Sequence, residues 1–175
     1  MEQLPNIVLI GMPGVGKSTL GVVLAKIMNY QFVDADLLIQ QACGSTLQTV
    51  IDTQGTQAFI ALESSVLCGI HPETPTVIAT GGSAIYSPAA MDHLRTLGPV
   101  VYLQVSCEEL KTRLLDFEDR GVVMQEGISS NLEQLFAERM PLYETYAQVT
   151  VNVEGLSITA AARKVAAALK GACEQ

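Results

Sequence analysis

Gly11, Gly14, Gly16, Lys17 and Ser18 spell Gly-x-x-x-x-Gly-Lys-Ser, the spacing of a phosphate-binding loop. Such a loop needs glycine because successive backbone N–H groups must point inward at phosphate oxygens, and a Cβ would obstruct that approach. Pro13 has no N–H and is not one of the donors. Lys17 is expected to reach the β- and γ-phosphates of ATP and Ser18 to ligate Mg²⁺, with Val15 and Thr19 completing the nucleotide-binding set. The positive end of the helix that follows adds to the attraction.

A second group of candidates begins at Asp34 and Asp36, which leave the end of an apolar run on one face. Beside a phosphate loop, Asp34 would hold a water on Mg²⁺, and Asp36 would accept or orient the proton of a hydroxyl to be phosphorylated. Asp36 also suits the N-cap of a helix beginning at Leu37, and one residue can serve both ends. Gly81-Gly82 follows another apolar run; the pair allows close backbone approach to a ligand or, equally, a tight turn with φ > 0. Residues 116–127, with two glycines and mixed charge, read as a mobile surface loop that holds Arg120. Loops of this kind close over phosphoryl-transfer sites and exclude water as a competing acceptor.

These residues need strands and helices to position them. Ile7–Ile10 reads as a buried strand entering the loop and residues 18–28 as the helix leaving it. Further strands are expected at 30–33, 76–80, 100–103 and 148–153. Residues 37–70 carry a helical pattern broken at Cys43-Gly44-Ser45 and at Gly55-Thr56, with Ser45 and Thr56 as N-caps. Ser87-Pro88 opens a helix that runs to Leu97, and Ser106-x-x-Glu109 is a capping box for a helix that carries Arg113 and ends near Leu115. Ser130-x-x-Glu133 opens the helix that delivers Arg139 just before Pro141, and Ser157 caps a final alanine-rich helix. Strands alternating with helices predict a three-layer α/β/α fold around a five-stranded, mainly parallel sheet. His93 is expected on the surface and His71 in a loop, neither with a role.

Composition sets the frame. With 175 residues, a formal charge of −8 and 49% apolar residues, the chain is expected to form one globular domain with enough apolar material for a core. The acidic balance argues against a nucleic-acid or anionic-membrane binder, which needs clustered cations. No positively charged segment precedes the first apolar run, so neither a signal peptide nor a membrane span is expected. Cys43, Cys68, Cys107 and Cys173 form no Cys-x-x-Cys pair, which suits free thiols in a reducing cytoplasm. No Lys or Arg stands between Lys26 and Arg95, whereas Asp34, Asp36, Asp52, Glu63 and Glu73 all do.

The order of these motifs resembles the shikimate kinase family, within the wider fold of nucleoside monophosphate kinases, over nearly the whole chain. Gly11 to Ser18 is similar to that family's phosphate loop, Phe32-Val33-Asp34-Ala35-Asp36 to its strand-end aspartates, and Val77-Ile78-Ala79-Thr80-Gly81-Gly82 to its substrate turn. The resemblance implies a P-loop kinase that uses ATP and Mg²⁺ and acts on a small hydroxylated molecule; a monomer is expected, with an oligomer the open alternative. By the same resemblance, residues 34–64 are the substrate-binding insertion and residues 116–127 the lid. Arg139, in Arg-Met-Pro-Leu-Tyr, would bind the substrate carboxylate, Arg113 would lie beside the adenine, and Arg120 would lie on the phosphates.

The departures bear on the acceptor. The family reads Gly-Glu-x-x-Phe-Arg-x-x-Glu after the second helix, its arginine clamping the shikimate carboxylate; here Ile60 stands at that position and Glu63 retains the last Glu. Ser83 replaces the third glycine of the turn, and Gly121 the proline after the lid arginine. Losing a bidentate carboxylate partner costs on the order of 2–5 kcal/mol if the same ligand is bound there. Glu63, three residues beyond Ile60 on the same helix face, is left without its guanidinium, and a partly buried carboxylate needs a cation or must neutralise. A substrate ammonium can be that cation. With Arg139 for a carboxylate and Asp36 for a hydroxyl, the three groups describe a small hydroxy amino acid such as homoserine. Shikimate itself, held by Arg139 and the backbone turn, is the alternative, and a non-catalytic nucleotide-binding protein is a third reading against which Lys17, Ser18, Asp34 and Asp36 count.

Overall fold

Short runs rich in Val and Ile form the strands β1 (Ile7–Ile10), β2 (Gln31–Asp34), β3 (Thr76–Ala79), β4 (Val100–Gln104) and β5 (Val149–Asn152). In the computed structural model, which describes residues 5–119 and 132–172, these strands make one sheet in the order β2-β3-β1-β4-β5. Every pairing is parallel, with Val8 opposite Ile78 on one side and Val100 on the other. All residues of β1 and β3 are buried, as expected of central strands covered on both faces.

The covering helices are α1 (Lys17–Met28), α2 (Ala35–Cys43), α3 (Leu47–Gln54), α4 (Thr56–Cys68), α5 (Pro88–Leu97), α6 (Cys107–Asp119), α7 (Leu132–Tyr146) and α8 (Ile158–Ala172). Helix α1 packs on α8 in one layer, and α4 packs on α5 in the other. Between β2 and β3, α2, α3 and α4 enclose a small apolar cluster of Ile39, Val50 and Phe59, separate from the main core. No helix among the described residues is long and apolar enough to cross a membrane.

Several local expectations are corrected. The α2 cap is Asp34, whose Oδ1 accepts from the N–H groups of Asp36 at 2.9 Å and Leu37 at 3.4 Å, so the helix starts at Ala35 and Asp36 lies inside it. Thr46, not Ser45, caps α3, and Gly55 with φ 86° precedes Thr56 in α4. Helix α6 does not stop near Leu115 but continues to Asp119, since no glycine or proline intervenes before Gly121. Residues 120–127 of the expected lid, and Ser130, lie outside the described residues. The Ser106 box is half formed: Ser106 Oγ accepts from the Glu109 N–H, but Glu154, not Glu109, receives the Ser106 N–H. Helix α7 runs through Pro141 to Tyr146. His93 is half-buried, its Nε2 2.9 Å from the Ile70 carbonyl and its ring edge-on to His71.

Candidate active site

The phosphate loop leaves the carboxyl end of β1, flanked by the end of β3 and, beyond it, that of β2, the edge at which open α/β sheets bind ligands. Gly14 (φ 84°) and Gly16 (φ 97°) take backbone conformations that L side chains rarely adopt, which is the physical reason for glycine there. Val15 is buried and its N–H closes the loop on the Met12 carbonyl, so it shapes the loop from inside. Ser18 and Thr19 are exposed on the first turn of α1. The Lys17 ammonium is buried and donates to the carbonyls of Gly11 at 2.7 Å and Met12 at 3.0 Å. Burial pushes its pKa down to about 8, opposed chiefly by the nearby Asp36 carboxylate.

Arg113 braces this loop from behind. It donates from Nη1 to the Val15 carbonyl at 2.8 Å, from Nη2 to Val153 at 3.4 Å, and from Nε to Glu109 at 3.0 Å. Its Nε, Nη1 and Nη2 are thereby engaged with protein acceptors. Arg120 lies outside the described residues.

Opposite the loop, Asp36, Glu63, Gly81, Gly82, Ser83 and Arg139 converge. Neither Gly81 nor Gly82 has a positive φ. They are glycine because of crowding: a Cβ on Gly81 would stand 2.5 Å from Glu63 Oε1 and 2.9 Å from Asp36 Oδ1, and one on Gly82 2.8 Å from Pro13 and 2.9 Å from Arg139 Nη1. Burial raises the Asp36 pKa, with Lys17 opposing and Asp34 reinforcing, so its carboxylate is a stronger proton acceptor than an exposed one. Glu63 is 1% exposed, and burial raises its pKa to about 7 against the effects of Ser83, Arg139 and Lys17. Ile60, one turn before it on α4, is half-buried and belongs to neither apolar cluster.

Glu63 is not wholly unpaired, as the sequence suggested. Ser83 Oγ donates to its Oε2 at 2.5 Å, whereas its Oε1 has no hydrogen-bond partner among the described residues. Sequence reasoning also missed two tyrosines. Tyr86 bonds Glu138 and accepts from Arg139 Nε at 3.2 Å, with the guanidinium carbon 5.2 Å from its ring centroid. Tyr143, one turn beyond Arg139 because α7 continues through Pro141, is buried, stacks on Tyr102 and donates to the Gly82 carbonyl at 2.7 Å. The signal for Ser83 was present in its departure from a third glycine, and that for Tyr143 in its place at the end of the Arg-Met-Pro-Leu-Tyr segment; for Tyr86 there was none.

A phosphate loop on the central strand of a parallel sheet, facing carboxylates and an arginine at neighbouring strand ends, defines a P-loop kinase of small molecules. More particularly, the chain belongs to the shikimate kinase family, whose model matches residues 13–170. The shikimate kinase of Francisella tularensis subsp. novicida is 36% identical over 166 residues, 94% of this chain and 94% of that one. Shikimate kinase from Acinetobacter baumannii in complex with shikimate matches with a TM-score of 0.88 and 30% identity over 99% of this chain and 97% of that one. Shikimate kinase from Aquifex aeolicus matches at TM-score 0.79 and 26% identity, over 96% and 98%. The chain is accordingly an ATP-dependent kinase that phosphorylates a hydroxyl group.

Proposed function

We propose that the acceptor is a small hydroxy amino acid, homoserine foremost. One observation carries this reading: Glu63 is a fully buried carboxylate beside Asp36, one of whose oxygens has no hydrogen-bond partner among the described residues, and the residue one turn earlier is Ile60 rather than a cation. An ammonium entering there would satisfy Oε1 and draw Glu63 into its ionised form. Arg139 would take the carboxylate of the same ligand, and the backbone of Gly81 and Gly82 would line the space between. Residues 34–64 would serve as the acceptor-binding insertion and residues 116–127, with Arg120, as the lid over the phosphates.

In this reading Asp36 takes the hydroxyl proton while the acceptor oxygen forms its bond to the γ-phosphorus and the bond to ADP breaks. Lys17 swings from the loop carbonyls to the phosphoryl oxygens and compensates the charge that develops there. Mg²⁺ would be held by Ser18 and, through water, by the Asp34 oxygen not committed to the α2 cap, and would neutralise phosphate charge. The exposed Ser18 hydroxyl and the glycine-lined loop suit that set.

The second reading is phosphorylation of shikimate, favoured by the names of the relatives and by the shikimate held in the Acinetobacter baumannii structure. An ADP-release assay over homoserine, serine, threonine and shikimate decides between them. Homoserine is expected to give the highest kcat/KM; activity confined to shikimate would establish the second reading.

A further inference from the structure

Ser83 stands where the family has glycine, and its hydroxyl spans from the β3 turn to α4 to reach Glu63 Oε2 at 2.5 Å. The bond joins the two departures of the acceptor site, a hydroxyl gained at position 83 and a guanidinium absent at position 60. It engages one carboxylate oxygen and leaves the other, Oε1, against the backbone of Gly81 and near Asp36. We propose that Ser83 is the positioning residue of the acceptor site: it substitutes for the missing guanidinium, fixes the Glu63 rotamer and keeps its carboxylate able to ionise. The consequence for specificity rests on the amino-acid reading above, since only a ligand with a cationic group gains from an ionised Glu63.

The surroundings make this dependence acute. The ionisable groups that face Glu63 are Asp36 from α2, which disfavours its charge, and Arg139 from α7 and Lys17 from the phosphate loop, which favour it. Lys17 has its own carbonyl acceptors and Arg139 is held by Tyr86, so Ser83 is the one hydrogen-bond donor to Glu63 among the described residues. A hydrogen bond to the charged form favours that form, and in a buried site it has no water to compete with it. A hydroxyl also does what a guanidinium at position 60 cannot: it supports the carboxylate without filling the site with positive charge that would repel an ammonium.

The test is a carbon-13 NMR titration of the Glu63 carboxyl in the unliganded full chain, as the native protein and as the Ser83→Ala and Ser83→Thr variants. Ser83→Ala is expected to raise the titration midpoint by about one pH unit, and Ser83→Thr, which keeps the hydroxyl, to restore it. An unchanged midpoint in a folded Ser83→Ala protein, or a rise that Ser83→Thr shares while its melting temperature stays native, overturns the proposal. Kinetics then address the reading it rests on: Ser83→Ala should raise KM for homoserine about tenfold with kcat little changed. A native protein inactive on every hydroxy amino acid, but with the expected carboxyl titration, would sink the amino-acid reading and leave the role of Ser83 standing.

Discussion

The Arg139 guanidinium lies over the Tyr86 ring, its carbon 5.2 Å from the centroid, while its Nε donates to the same residue's hydroxyl at 3.2 Å. A long side chain that would otherwise sample many rotamers is thus fixed before substrate arrives, with its Nη1 beside Gly82. Tyr86→Phe keeps the ring and removes the hydrogen bond. It should raise the acceptor KM roughly threefold to tenfold with little change in kcat, whereas Arg139→Ala should raise KM by roughly a hundredfold or more. Steady-state kinetics with saturating ATP check both; equal effects on kcat in the two variants would contradict a binding role for Arg139.

The phosphate loop, the strand-end aspartates and the helical breaks near Gly44 and Gly55 were legible because each is encoded within a few consecutive residues. Glycines at φ 84° and 97° and a lysine after them leave the local chain little choice. What the sequence could not disclose is contact between distant segments. Ser83 and Glu63 are twenty residues apart, and Tyr143 and Gly82 sixty-one, joined only when α4 and α7 are placed against the turn that follows β3. The end of α6 was misread because its apolar periodicity fades before its helical backbone does.

Lys17 predicts a proton linkage to nucleotide binding. In the free protein burial holds its pKa at about 8, and the phosphates need the cation, so the bound form should carry a proton that the free form has partly lost at pH 8. ATP affinity should therefore weaken as pH rises through about 8, with net proton uptake on binding there. Calorimetry at pH 8 in buffers of different ionisation enthalpy measures that uptake directly. Lys17→Ala should abolish it and lower turnover by roughly 100-fold or more, with the circular dichroism spectrum unchanged.

Glu63 predicts a stability gain on neutralisation. Its pKa is raised from 4.5 to about 7 in the folded protein, so between those values the native state retains a proton that the unfolded chain has released. Stability from this group is present below about pH 4.5 and is lost as pH rises through about 7. Glu63→Gln keeps an acceptor for Ser83 and removes the charge. It should stabilise the protein at pH 8 by up to about 3 kcal/mol and leave stability near pH 4.5 almost unchanged, as read by urea unfolding at the two pH values. A gain of the same size at both would show that packing, not charge, is responsible.

The same carboxylate should decide which acceptor is used, and pH is the most direct way to see it. If an ammonium must meet an ionised Glu63, kcat/KM for homoserine rises about tenfold per pH unit below a midpoint near 7 and levels off above it. Shikimate, an anion with no ammonium, gains nothing from that ionisation and should show no such rise. Glu63→Gln should remove the midpoint and lower kcat/KM for homoserine by roughly 10- to 150-fold, the scale of one charge-assisted contact, while affecting shikimate far less. Ile60→Arg acts in the opposite sense. From one turn before Glu63 on α4, a guanidinium would pair with the carboxylate, repel an ammonium and offer a second site for the shikimate carboxylate, so the ratio of the two specificity constants should move toward shikimate. The double variant Ile60→Arg, Ser83→Gly restores both family residues and should move it further. If that ratio stays fixed in the double variant, the residues at 60 and 83 do not select the acceptor.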